Sequence, residues 1–251
     1  MSRIGFIGTG HIAAPMVRRM VGLGHEVIVT SRNADVAAAL AQSHGVSVDE
    51  PQAVLDGSDI IFICLRPSVA PDILSTLTFR PDHQIISVMA EHSETTLRQI
   101  CAPAEQITRT IPFGFVEQGG CPLPVWGDVA LVTKLFGPDN LILAMPQEAG
   151  LNAVLAASAI MANQLDMLQT IAAWTEAQLG DADVADAYVR HLVNGFLTTM
   201  PQHAGALAQE RDALTLPGSL NHALMHKMRD AGTHEALTQA LDDVYERLTS
   251  Q

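Results

Sequence analysis

The sequence predicts an α/β chain whose second half is wholly helical, and three observations carry that reading. Strand-like apolar runs alternate with helix-like segments over residues 1–147, the pattern of a parallel sheet with crossover helices. A turn holding Gly8 and Gly10 stands directly after the first apolar run, in IGFIGTGHIAAPM. Beyond Gln147 the alternation stops and only helical periodicity remains. The expected fold is therefore a doubly wound, mostly parallel sheet over residues 1–147, followed by an all-α domain over residues 148–251.

Taken in order, RIGFIG reads as a strand and HIAAPMVRRMVGLG as a helix with Ile12, Met16, Val17, Met20 and Val21 on one face. Pro15 is tolerated there because the first helical turn has no acceptors for its N–H groups. EVIVTS is the second strand, and DVAAALAQSH the next helix with Gly45 as its stop. DIIFICL reads as a buried strand, and QIISVMA and QITRTIP as two more. Helix GDVALVTKLFG and strand NLILAM complete this half. From Glu148 to Leu179 the chain is Ala-rich with Leu151, Val154, Leu155, Leu165, Leu168, Ile171 and Leu179 as apolar positions. Asp181 or Asp183 caps DVADAYVRHLVNGFLTTM, and after a break at LTLPGS two further helices are capped by Ser219 and Thr233. So apolar a helix exceeds what a domain of about 100 residues needs, so a homodimer through the helical domain is expected.

At 251 residues, 48% hydrophobic and 16% charged, the chain is globular in composition. A net charge of −13 disfavours nucleic acid and anionic membrane as partners. The longest strand-like apolar run, IIFICL, is far short of a membrane span, and the strand pattern begins too early for a signal peptide. Cys64, Cys101 and Cys121 form no CxxC motif and no even set, which points to a cytoplasmic protein without disulfides or structural zinc. His203, His222 and His226 lack carboxylate or cysteine partners at ligand spacing, so no metal is expected.

The glycine turn reads Gly8-Thr9-Gly10-His11-Ile12-Ala13, a G-x-G-x-x-A between strand and helix. The first glycine permits the tight turn, the second lets a pyrophosphate approach the backbone, and Ala13 permits close strand–helix packing. The phosphates would sit on the helix amino terminus. The end of the next strand, Thr30-Ser31-Arg32-Asn33, carries no acid to bind a ribose 2′-hydroxyl. It offers a hydroxyl, a guanidinium and an amide, which suit a 2′-phosphate, and the expected cofactor is NADP(H).

Several segments in order resemble pyrroline-5-carboxylate reductase: IGFIGTGHIA, the TSRN strand end, DIIFICLRP, IISVMA, TRTIPF and the break LTLPGSLN. The resemblance implies a Rossmann-type NADP-binding domain followed by a helical dimerisation domain, and reduction of a cyclic imine by hydride from NADPH. It also implies that Leu65, Arg66, Pro67 and Ala90 lie beside the cofactor, Arg66-Pro67 holding the place of the family's Lys-Pro.

The departures fall where substrate should bind. The family's Ser-x-Ala-Ala-Gly is Ser87-Val88-Met89-Ala90-Glu91-His92 here, and its Met-Pro-Asn-Thr-Pro is Ile111-Pro112-Phe113-Gly114-Phe115. Its Ser-Gly-Ser-Gly-Pro-Ala-Tyr is Ser158-Ala159-Ile160-Met161-Ala162-Asn163-Gln164. Its Pro-Gly-Gly-x-Thr, whose threonine hydrogen-bonds the imine, is Pro217-Gly218-Ser219-Leu220-Asn221. The candidate catalytic residues are Asn221 and Ser219; the resemblance further implies that Glu91 and His92 lie near the nicotinamide end, where either could donate a proton, the other reading being that both are solvent-exposed loop residues. Phe113 and Phe115 either wall an apolar pocket or belong to the core; Trp126 and Trp174 read as packing.

Two other readings compete. The opening also resembles β-hydroxyacid dehydrogenases, which use a lysine on the first long helix of the second domain. This chain has only Lys134 and Lys227, and that helix carries Asn163, Gln164 and Asp166. The third reading is a non-catalytic NADPH-binding sensor, which would keep the cofactor turn and lose the substrate motifs.

Overall fold

The computed structural model describes residues 1–250, and their contacts divide them into two compact units, Met1–Leu155 and Ala156–Ser250. The strand–helix alternation ends near Gln147, but the contacts part later, inside helix α7 (Gly150–Ser158).

The first unit is built on an eight-stranded sheet of order β3-β2-β1-β4-β5-β6-β7-β8. Its strands are β1 (Arg3–Ile7), β2 (Glu26–Thr30), β3 (Ser47–Asp49), β4 (Ile60–Ile63), β5 (Gln84–Ser87), β6 (Gln106–Thr110), β7 (Pro122–Trp126) and β8 (Leu141–Ala144). All neighbours pair in parallel except β6 and β7, which run antiparallel. The order reverses between β1 and β4, which opens a crevice at their carboxyl ends.

Alternation along the strands feeds two cores. Ile4 and Phe6 of β1 with Ile60 and Phe62 of β4 face α1 (Ala13–Gly22), α2 (Ala34–His44) and α6 (Val129–Phe136). Phe6 stacks on Phe62 with centroids 4.7 Å apart, and Phe136 meets Phe62 edge-on. On the other face Ile7, Ile61, Ile63, Ile85 and Ile107 pack under α3 (Pro51–Asp56), α4 (Ala70–Leu74) and α5 (Glu94–Ile100). The sheet is thus covered on both sides, as the near-continuous apolar strands require.

In α1, Met16, Val17 and Met20 are fully buried as their spacing predicts. Ile12 is corrected: it is 43% exposed, because the helix starts one residue after it and its side chain stands at the open end. Gly45 ends α2 in the left-handed region, φ 66°, as its position predicted.

The helical unit holds α8 (Ile160–Leu179), α9 (Ala182–Thr199), α10 (Ala206–Leu214), α11 (Leu220–Asp230) and α12 (Thr233–Thr249). Asp181 and Ser219 cap α9 and α11, accepting from the N–H groups of Val184 and His222. Thr233 is not a cap: Gly232 holds that place in the left-handed region, and the Thr233 hydroxyl donates to the Met228 carbonyl instead. Within this chain α8 buries no side chain; Leu165 is 62% and Trp174 67% exposed. The stretch Gly150–Leu179, 30 residues with a window of mean hydropathy 1.2, is long and apolar enough to cross a membrane by length and composition alone.

Candidate functional site

The glycine turn is held by the ends of three strands. The Gly8 N–H donates to Thr30 Oγ1 at 2.9 Å, and Thr9 Oγ1 donates to the Thr30 carbonyl at 2.7 Å, so β1 and β2 end in register. The buried Thr9 side chain is committed to this tie, which leaves its backbone for any ligand. Gly8 sits at φ 100°, where a Cβ would stand 2.6 Å from the Cys64 carbonyl oxygen at the end of β4. Glycine is required there by the chain itself.

Gly10 is required by nothing among the described residues. A Cβ at Gly10 would meet no atom within 4 Å. The space kept open there adjoins the amino end of α1, where Gly10, His11 and Ile12 have N–H groups without protein partners among the described residues. Unsatisfied donors plus the helix dipole make an anion cradle. Buried Ala13 packs into the core below, as the third position of the motif demands.

A cleft of about 450 Å³ runs from this turn along the carboxyl ends of β2, β1 and β4. Gly8, Ser31, Arg32 and Leu65, all singled out from sequence, line it together. Arg32 makes no ion pair among the described residues. The same cleft is also lined by Glu50, the residue before α3, and Asp72 of α4, two carboxylates that only the fold brings there. Asn33 precedes α2 and is exposed, and its side chain makes no capping bond. Arg66 and Pro67 follow β4, where Pro67 opens a single 3-10 turn, Pro67–Val69.

Farther along the sheet, the loop after β5 carries Ala90, Glu91 and His92 before Ser93 caps α5. His92 is half-buried with Nδ1 enclosed and unpaired. Burial lowers its pKa, Glu91 opposes that shift and the Arg109 guanidinium adds to it. His92 is therefore neutral at pH 7, and any proton it offers is that of a neutral imidazole. Past β6, Phe113 and Phe115 stack at 5.9 Å with rings 8° from parallel. Phe113 packs on the core while Phe115 is 47% exposed, so the pair joins core to surface rather than belonging wholly to either.

Ser219 and Asn221 belong to the helical unit, at the amino end of α11. The Ser219 hydroxyl accepts the His222 N–H and donates to the Leu214 carbonyl, which commits it to the cap. Asn221 is exposed and makes no side-chain hydrogen bond among the described residues.

Residues that sequence reasoning missed lie next to this loop. Arg109 of β6 is buried and bonded to Glu148, and Trp126, read as packing, donates its indole N–H to Glu94 Oε2 at 2.6 Å. The available signal was an arginine inside the apolar strand QITRTIP; its partner 39 residues on carries none.

Residues 3–91 match the family model described as NADP oxidoreductase coenzyme F420-dependent. The cytokine-like nuclear factor N-PAC of Drosophila melanogaster is 31% identical over 71 residues, which cover 28% of this chain but 12% of that protein. The pyrroline-5-carboxylate reductase of Streptococcus pyogenes superposes over 100% of this chain and 99% of its own, with TM-score 0.84 and 18% identity. That of Plasmodium falciparum, solved with NADP bound, covers 99% of this chain and 97% of its own, with TM-score 0.82 and 12% identity. An imine reductase from a Pseudomonas species covers 99% and 90%, with TM-score 0.63 and 15% identity. The chain carries the fold that these reductases share.

Proposed function

We infer that this chain, which has the fold of the pyrroline-5-carboxylate reductases from end to end, is an NADP(H)-dependent reductase acting on an imine or a related carbonyl compound. The observation that carries the reading is the turn at Gly10: space that no described residue fills, beside N–H groups that no described residue satisfies. In this reading the pyrophosphate lies on the amino end of α1, and Ser31 and Arg32 receive the 2′-phosphate. In the same reading Leu65, Arg66, Pro67 and Ala90 lie beside the cofactor, Leu65 in the cleft it shares with Arg32.

Bound NADPH supplies the hydride; the chain binds, orients and dries the reacting groups. Asn221 is assigned as hydrogen-bond donor to the acceptor nitrogen or oxygen. The exposed face of the Phe113–Phe115 stack favours a less polar acceptor than an amino-acid imine. His92, neutral, can donate a hydrogen bond or relay a proton, and Glu91 is the alternative donor. The enzyme is proposed to be a cytoplasmic homodimer, the partner covering the apolar faces of α8 and α9.

Glu50 and Asp72 in the cleft favour a second cofactor reading, NADH, since a carboxylate suits a ribose hydroxyl and repels a phosphate. Arg32→Ala separates the two. Calorimetric titration with each cofactor should show NADPH binding weakened about tenfold or more, with NADH little changed. Equal losses for both cofactors would sink the 2′-phosphate assignment.

A further inference from the structure

A polar cluster of the amino-terminal unit lies at the loop after β5, and its centre is Arg109. This residue is 5% exposed. Its Nη1 donates to Glu148 Oε1 at 2.6 Å, and its Nη2 donates to the Ala90 carbonyl at 2.8 Å and, more weakly, to the Met89 carbonyl at 3.5 Å. Glu148 Oε1 also accepts the backbone N–H of Glu94, the first residue of α5. Glu94 in turn holds Trp126 of β7 and Arg98. One carboxylate and one guanidinium thus tie together the β5 loop, the start of α5 and the segment entering α7.

Stability alone is a poor reason for such a pair. Burying the arginine offsets much of what its attraction to the half-buried Glu148 returns, and an apolar residue of the same volume often serves a fold better. Arg109 Nε, moreover, is buried without any partner, a further cost. What the arrangement does secure is the direction of two peptide groups. In a trans peptide the C=O and N–H point to opposite sides. With the Met89 and Ala90 carbonyls turned onto Arg109, the N–H groups of Ala90 and Glu91 face away from it. Neither has a partner among the described residues, although the preceding Met89 N–H is satisfied by Ser87 Oγ. Two adjacent free donors at the carboxyl end of β5, on the side of the crevice away from β2 and Arg32, stand where the second half of a dinucleotide would lie.

We propose that Arg109, neutralised by Glu148, is a positioning residue that turns the Ala90 and Glu91 N–H groups toward the nicotinamide half of the cofactor. The role rests on the cofactor reading above. It predicts that loss of the guanidinium disturbs one end of the dinucleotide and not the other.

The test is titration calorimetry with NADPH and with adenosine 2′,5′-bisphosphate, which carries only the adenosine half. Wild type, Arg109→Gln and Arg109→Lys are compared. Arg109→Gln should weaken NADPH about tenfold while leaving the bisphosphate within about twofold, and Arg109→Lys should recover part of the loss. A purely structural arginine would move both ligands together or neither, and either result overturns the role. If Arg109→Gln does not fold, Arg109→Lys, which keeps the charge but not the fork, carries the same comparison. Wild type binding neither ligand overturns the cofactor reading, and this role with it. Wild type binding both, with the variants unchanged, overturns the role alone.

Discussion

Gly8 and Cys64 approach so closely that a Cβ on Gly8 would lie 2.6 Å from the Cys64 carbonyl oxygen, whereas a Cβ on Gly10 would touch nothing within 4 Å. Two glycines of one motif therefore answer to different demands. Gly8→Ala forces a non-glycine residue to φ 100° against backbone, and should cost about 1–3 kcal/mol of stability. Gly10→Ala should leave the thermal midpoint unchanged and weaken NADPH binding about tenfold or more, because its methyl occupies the phosphate's space. Thermal unfolding and cofactor titration of both variants check the pair. A Gly10→Ala protein that binds NADPH like wild type contradicts the cradle.

Asn221, proposed above as the donor to the acceptor atom, lies on a helix whose cap is set by Ser219. Asn221→Ala should lower kcat for an imine about tenfold with NADPH affinity unchanged, since the residue is assigned to the substrate and not to the cofactor. Asn221→Thr should retain most of the activity. Steady-state kinetics together with a cofactor titration decide it; a parallel loss of NADPH affinity would move Asn221 out of the substrate role.

Acid should destabilise the fold near neutrality. His83 is fully enclosed, its Nδ1 accepting the Arg80 N–H, and its pKa is lowered first by burial and then by Arg80. His25 and His92 are also lowered, burial leading in each. The unfolded chain takes up these protons near pH 6.5 and the folded chain does not. Stability is therefore whole above that pH and falls as pH drops through it, until the folded values are reached. The thermal midpoint should drop between about pH 7.5 and about pH 5.5, and His83→Gln should flatten the slope.

The apolar faces of α8 and α9, with Leu165, Trp174 and Tyr188 exposed, predict a homodimer. Light scattering on the full chain should give twice the 26.8 kDa chain mass. Leu165→Asp combined with Trp174→Asp should shift it toward monomer or aggregate. A monodisperse wild-type monomer would contradict the dimer, and stable association with lipid vesicles would assign the same faces to a membrane.

The parts of the fold legible in the sequence are those set by local pattern. Strands β1, β2, β4, β5 and β6, and helices α1 and α2, follow from uninterrupted apolar periodicity and glycine punctuation. Strand β7 was hidden by Pro122 and Pro124, which break a strand pattern. They fit because β6 pairs only with Val125 and Trp126, so the missing N–H groups face no ladder there. Helices α3, α4 and α5 are five to seven residues long, too short for a period to declare itself. At the site, Gly8 was legible because backbone geometry demands glycine there, and Gly10 because the motif's spacing marks it. Glu50, Asp72 and the Arg109–Glu148 pair were not, because only the tertiary fold brings them in.

The most direct measurement is NADPH oxidation followed by absorbance, with purified protein and two acceptors, pyrroline-5-carboxylate and its uncharged parent 1-pyrroline. Saturable turnover is predicted for at least the uncharged imine, lost in Gly10→Ala. Folded protein that binds NADPH yet turns over neither these nor bulkier imines and ketones would contradict the reductase reading and leave a cofactor-binding sensor in its place.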